Sequence, residues 1–76
     1  MIYMEGCFID PHEGILTARI TCDTQKQQAV LEIKDKPGRY GKVLAKAGVS
    51  GPRAERFYIR TTNYYFGYDR KTDSCN

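Results

Sequence analysis

Apolar and polar residues alternate along the first half of the chain with a period of two, which is typical of strands with one buried face. The alternation covers residues 2–9, 15–22 and 29–34. It is clearest in the second segment, where the positions expected to face inward are Leu16, Ala18, Ile20 and Cys22. Short polar segments separate the three, and the first, DPHEG, contains the Pro and Gly typical of a turn. We therefore expect three strands joined as an antiparallel meander.

The pattern after residue 37 has the period of an α-helix. One stripe at the spacing i, i+3, i+4, i+7 consists of Tyr40, Val43, Leu44 and Ala47. Pro37 before the stripe and Gly48 after it are typical of helix ends. The sequence predicts a helix over residues 38–47, with Gly48 at positive φ just beyond it. Three cations lie together on another side of this helix: Arg39, Lys42 and Lys46.

The stretch from Arg53 to Lys71 is rich in aromatic and basic residues, and its alternation returns to a period of two. We interpret it as a β-hairpin that turns at Thr62 and Asn63, because this register separates apolar from polar side chains. The apolar face of the hairpin would consist of Phe57, Ile59, Phe66 and Tyr68. The basic and aromatic face would consist of Arg56, Tyr58, Arg60, Tyr65 and Asp69.

These elements predict an α+β fold, a small antiparallel β-sheet with one helix packed on it in the order β-β-β-α-β-β. Residues 1–70 would form a single compact domain, and residues 71–76 a flexible polar tail. The side chains expected in the core are Leu16, Ile20, Leu31, Ile33, Leu44, Phe57, Ile59 and Phe66.

Two short segments resemble motifs of known families. Residues 34–44, KDKPGRYGKVL, resemble the KOW motif of small SH3-like barrels that bind RNA. That resemblance implies a strand over residues 41–47 and an SH3-like all-β barrel, which is the alternative fold. Residues 44–58, LAKAGVSGPRAERFY, resemble the turn and second helix of helix-turn-helix DNA-binding proteins. This second resemblance implies a helix in which Ala54 and Phe57 fill buried positions.

Length and composition limit the class of protein. A chain of 76 residues with 41% hydrophobic residues is long enough for one small domain, and dimerisation would support its modest core. It contains no apolar run long enough to span a membrane and no signal-peptide pattern at residues 1–10.

The three widely spaced cysteines, Cys7, Cys22 and Cys75, argue against a disulfide framework. We therefore expect three thiols and a cytoplasmic location.

The sequence shows no set of residues that would make a catalytic site. His12 is the only histidine, and it lies in a turn without an evident partner that would make it a general base. There is no pair of closely spaced cysteines that would hold zinc. We expect a non-enzymatic domain that needs no cofactor or metal.

The charge is distributed unevenly between the two halves of the chain. Residues 1–33 carry a net charge of −3 and residues 34–76 a net charge of +6. This asymmetry favours an anionic partner, either nucleic acid (RNA or single-stranded DNA) or an acidic protein surface. Binding to an acidic protein surface would suit a small regulatory or inhibitory protein of phage or plasmid type. The protein could be a homodimer with either kind of partner. The candidate binding residues are Arg53, Arg56, Tyr58, Arg60, Tyr65, Arg39, Lys42 and Lys46.

Overall fold

The computed structural model describes residues 1–67, which form a four-stranded antiparallel sheet and one helix. The elements are β1 (Ile2–Asp10), β2 (Gly14–Asp23), β3 (Gln28–Lys34), β4 (Val43–Ser50) and α1 (Ala54–Phe66). The strand order across the sheet is β1-β2-β3-β4.

A small α+β fold with one helix on an antiparallel sheet is therefore confirmed. The expected order β-β-β-α-β-β is wrong, because the helix follows all four strands. In the described residues the sheet stays open, so the SH3-like barrel is not formed.

The first three strands lie where the alternation predicts them, and the turns between them are stabilised locally. Asp10 ends β1, and its carboxylate accepts hydrogen bonds from the backbone N–H groups of His12 and Glu13, at 2.9 and 2.8 Å. Gly14 closes this turn at a φ of +86°, a conformation that favours glycine. The Asp23 carboxylate accepts backbone hydrogen bonds in the same way in the turn after β2. Both turns therefore satisfy backbone N–H groups of their own, which explains why these segments are predictable from local sequence alone.

The core lies between α1 and one face of the sheet. Its fully buried apolar residues include Phe8, Leu16, Ala18, Ile20, Cys22, Ala29 and Ala54. Of the side chains expected there, Leu16 and Ile20 are buried, and four are partly buried: Leu31, Ile33, Phe57 and Phe66. The expectation is wrong for Leu44 and Ile59, which are exposed.

The predicted helix over residues 38–47 is wrong. Val43–Ser50 is the strand β4, in which Ala45, Ala47 and Val49 pair with Ile33, Leu31 and Ala29 of β3. The helical stripe contained only four apolar residues, and its first member, Tyr40, is 82% exposed. Pairing with β3 satisfies a ladder of backbone groups along β4, irregular only where the register shifts at the β3 end, whereas the stripe would bury little apolar surface. Gly48 lies within β4 and does not have the expected positive φ.

The KOW resemblance is therefore partly matched, since a strand begins at Val43 within the segment 41–47. The barrel that it implies is not formed by residues 1–67, because α1 covers one face of an open sheet.

The predicted β-hairpin after Arg53 is also wrong, since Ala54–Phe66 is the helix α1. Residues spaced by three and four positions face the sheet, beginning with the buried Ala54 and continuing through Phe57 and Tyr65. Thr61, a β-branched residue, is accommodated because its hydroxyl donates to the carbonyl of Phe57 at 2.8 Å. The other half of the predicted hairpin includes Tyr68 and Asp69, which lie outside the described residues, as do residues 71–76.

The helix-turn-helix resemblance anticipated a helix in this region. Ala54 is 1% exposed, and Phe57 packs against the same cluster, as that motif would require. Its turn and preceding segment are not matched, because residues 44–50 belong to β4.

The loop between β3 and β4, residues 35–42, is held in a compact conformation. The Asp35 carboxylate accepts a hydrogen bond from the Lys42 backbone N–H at 2.8 Å, and the Lys34 ammonium donates to the carbonyl of Gly38. Gly41 lies so close to Lys36 that a Cβ at position 41 would overlap the Lys36 carbonyl oxygen. Residue 41 therefore has to be glycine for this loop to close.

Gly41→Ala should lower the free energy of unfolding by about 1–3 kcal/mol, the usual cost of overpacking. Gly48→Ala is the matched control, because a Cβ there would lie 3.4 Å from the Ala29 carbonyl oxygen, an ordinary contact. The control should change stability by less than about 0.5 kcal/mol in a urea titration. A larger loss from Gly48→Ala than from Gly41→Ala would contradict both the strand at β4 and the closed loop.

The cysteines differ from the expectation of three thiols. Cys22 is a free, fully buried thiol, whereas Cys7 is disulfide-bonded. The Cys7 sulfur lies 3.6 Å from the hydroxyl of Thr17, which must be the donor because a disulfide sulfur carries no proton. The cysteines therefore no longer support the expected cytoplasmic location, and Cys75 lies outside the described residues.

Candidate functional site

A groove lies between α1 and the β4 side of the sheet. The helix packs mainly over β2 and β3 and contacts β4 least, so the helix-facing side of β4 is left uncovered. The groove has a volume of about 690 Å³, which is within the range of cavities that hold ligands, roughly 300–1,000 Å³. The described residues that line it are Leu31, Val49, Arg53, Arg56, Phe57, Arg60, Thr61, Tyr64 and Tyr65.

Three arginines form one wall of this groove. Arg53 is the N-cap residue of α1, and Arg56 and Arg60 follow at spacings of three and four, so they lie on successive helical turns. The set extends about 10 Å along the helix axis, given a rise of about 1.5 Å per residue. The start of the helix is fixed by Gly51, whose N–H donates to the carbonyl of Gln27 at 2.8 Å. The cations therefore project from a rigid element.

The electrostatic environment of the arginine wall is unbalanced. All three guanidinium side chains are exposed, and no acidic residue of the described chain lines the groove. Within residues 1–67 the one salt bridge joins Lys46 to Glu32 at 4.0 Å, on the other face of the sheet. The groove consequently presents concentrated positive charge that an anionic ligand would neutralise.

The floor of the groove is apolar. It is formed by Leu31 of β3, Val49 of β4 and the ring of Phe57. All three are partly buried, so each combines packing against the core with exposure to the groove. A ligand that fits this site would have an apolar surface beside its negative charge.

Three aromatic rings connect the core to one end of the groove. Phe8 is 2% exposed and meets Tyr65 edge-on, with ring centroids 4.8 Å apart and an interplanar angle of 64°. Tyr65 in turn meets Tyr64 at 4.9 Å and 84°. Tyr64 is 56% exposed, so this aromatic series reaches the surface. Edge-to-face pairs of this kind restrict the orientation of each ring.

The structure brings together only part of the predicted site. Arg53, Arg56 and Arg60 line the groove with Tyr65, although they lie on a helix and not on a hairpin face. Tyr58 does not join them, because it packs against the buried cluster around Cys22. Residues i and i+2 lie on different sides of a helix, which separates Tyr58 from both Arg56 and Arg60.

The other predicted cations lie elsewhere. Arg39 and Lys42 are exposed in the loop of residues 35–42, away from the lining of the groove. Lys46 lies on the sheet face opposite α1, since its neighbour Ala47 pairs with Leu31 of the groove floor. Tyr64 is a groove residue that is absent from the predicted set. Its signal is the helical period, which aligns it with the three arginines at spacings of three or four.

The described residues contain no group of three or more His, Cys, Asp or Glu side chains placed to hold a metal ion. Over the same part of the chain, no helix has the length and apolar character needed to cross a membrane.

Comparison with known proteins identifies no relative: no family model, no curated protein and no solved structure matches this chain.

Proposed function

We propose that this protein is a small non-enzymatic domain that binds nucleic acid in the groove between α1 and β4. The observation that supports this function best is the arginine wall, in which Arg53, Arg56 and Arg60 line one groove whose described lining contains no acidic residue. Guanidinium groups bind phosphate oxygens through two parallel hydrogen bonds, which makes arginine well suited to a phosphate backbone. The aromatic residues at the end of the groove add surfaces on which bases can stack.

The length of the arginine wall fits several consecutive phosphates. A stacked strand has one phosphate per 3.4 Å, so the wall of about 10 Å spans roughly three. Each contacted phosphate releases condensed counterions, which makes binding weaken as salt rises. For three contacts on a single strand, we expect the logarithm of the association constant to fall with the logarithm of salt concentration at a slope of about −2.

The test is fluorescence anisotropy with labelled single-stranded RNA and DNA oligonucleotides over about 50–200 mM salt. The double variant Arg56→Ala/Arg60→Ala should bind more weakly, with a slope reduced to about −0.7. Arg19→Ala is the matched control, because Arg19 lies on the opposite face of the sheet and stacks on the Tyr3 ring at 5.6 Å. Equal affinities and slopes for the double variant and the wild-type protein would contradict the proposal.

A protein partner is the second candidate, and the position of β4 favours it. β4 is an edge strand, and all its residues except Val49 are exposed. An edge of this kind can accept an extended segment from another protein through backbone hydrogen bonds. If this is the function, the labelled oligonucleotides should show no binding that depends on Arg56 and Arg60.

A further inference from the structure

We infer that the groove takes an unpaired strand and that Tyr64 is the residue on which one of its bases stacks. This inference rests on the proposed function and specifies the form of nucleic acid that the groove binds. Tyr64 is not one of the two tyrosines, Tyr58 and Tyr65, that the sequence predicts as binding residues.

The placement of the three tyrosines supports this assignment. Tyr58 and Tyr65 are partly buried against the core clusters, whereas Tyr64 is 56% exposed and lines the groove. The Tyr64 and Tyr65 rings are nearly perpendicular, at 84°, and more than half of the Tyr64 side chain stays exposed beside the groove. Phe8 and Tyr65 hold the Tyr64 ring in place through the aromatic series, so little conformational entropy is lost when a base stacks.

The apolar floor and the arginine wall of the groove determine how a nucleic-acid strand would be oriented in it. Phosphates would be poorly solvated against Leu31 and Val49, because burying a charge without a polar partner is costly. The arginines lie along the helix wall, so the backbone follows α1 and the bases turn toward the apolar floor. The planar faces of bases are suited to such a floor, and stacking of this kind tolerates many sequences.

This orientation requires bases that are not paired. In a duplex the base faces are stacked on one another and their phosphates lie on the outside, so a duplex could contact only the rim of the groove. In a single strand the bases can be turned out and stacked on aromatic side chains. The groove should therefore discriminate between an unpaired strand and a duplex of the same sequence.

Tyr64→Ala should weaken binding of an unpaired pyrimidine oligonucleotide by about 5- to 150-fold, the usual range for losing one stacked base. The salt slope should stay near the wild-type value, since no phosphate contact is removed. Tyr64→Phe keeps the ring and should bind like the wild-type protein. Tyr40→Ala is the matched control, because Tyr40 is 82% exposed in the loop of residues 35–42 and does not line the groove.

A second measurement reports stacking directly. The chain contains no tryptophan, so Tyr64→Trp creates a single indole whose fluorescence should be quenched by the unpaired oligonucleotide and much less by its duplex. Tyr40→Trp should show no quenching with the unpaired oligonucleotide or with its duplex.

The inference would be overturned if the unpaired oligonucleotide and the duplex quenched Tyr64→Trp equally, or if Tyr64→Ala bound with wild-type affinity. If Arg56→Ala/Arg60→Ala still weakens binding in that case, the proposed function stands without it; if neither variant changes affinity, both are wrong.

Discussion

Phe8→Ala is expected to lower the free energy of unfolding by about 3–5 kcal/mol, the usual cost of deleting a buried aromatic ring. Phe8 is 2% exposed, belongs to the cluster with Leu16 and Ala18, and supports the ring of Tyr65 at 4.8 Å. Its removal leaves a cavity directly beneath the end of α1. At about 0.05–0.15 kcal/mol per residue, a domain of this size has a total stability of only roughly 4–11 kcal/mol. The variant should therefore be partly or largely unfolded, which a urea titration followed by circular dichroism would measure.

The neighbouring residue provides the control. Ile9 is 50% exposed and points to the opposite face of β1, so Ile9→Thr keeps a β-branched side chain in the strand without opening a cavity. It should change stability by less than about 0.5 kcal/mol. If Phe8→Ala costs less than about 1 kcal/mol, then Phe8 does not hold α1 on the sheet as the structure shows.

Ile59→Pro should destabilise the protein by about 3 kcal/mol or more. Ile59 lies in the middle of α1, where proline removes a backbone hydrogen bond and its ring clashes with the preceding turn. The side chain itself is 56% exposed, so its replacement removes little packing. The loss would be detected as a lower midpoint in a urea titration, together with reduced helical circular dichroism.

Ile59→Ala separates the helix from the hairpin that the sequence favoured. In α1 this variant shortens an exposed side chain and introduces the best helix former, so stability should change by less than about 0.5 kcal/mol. In a hairpin with Ile59 in the core, the same change would cost about 2–5 kcal/mol. A large loss from Ile59→Ala would therefore refute the helix, whatever the proline variant does.

The first three strands could be predicted because their determinants are local. β1, β2 and β3 alternate clearly, and Asp10 and Asp23 each stabilise a turn through their own side chains. The two later elements could not be predicted in the same way. The Val43–Ser50 segment is too short and too poor in large apolar residues for its period to decide between helix and strand. It becomes a strand because β3 provides a partner.

The wrong prediction of a β-hairpin in place of α1 has a different origin. The segment FYIRTTNYYF is composed mostly of β-branched and aromatic residues, which favour strands when considered alone. Packing overrides this preference, because a helix places Ala54, Phe57 and Tyr65 together on the sheet. The predicted cations Arg53, Arg56 and Arg60 remained candidates after this correction, since spacings of three and four also align them on a helix. Of the two predicted tyrosines, Tyr65 stays in the groove with them and Tyr58 does not, because the period decides which side chains share one side of the helix.

The position of α1 after all four strands has a consequence for biosynthesis. Each hairpin of the sheet pairs residues close in the chain, so the strands can associate as they emerge from the ribosome. The apolar face that α1 covers stays open until the helix has also been synthesised, about 1–3 s later at 5–20 residues per second. During that interval Phe8, Leu16 and Ile20 are available to chaperones and to other nascent chains. Docking of α1 is thus the step that ends exposure of the core.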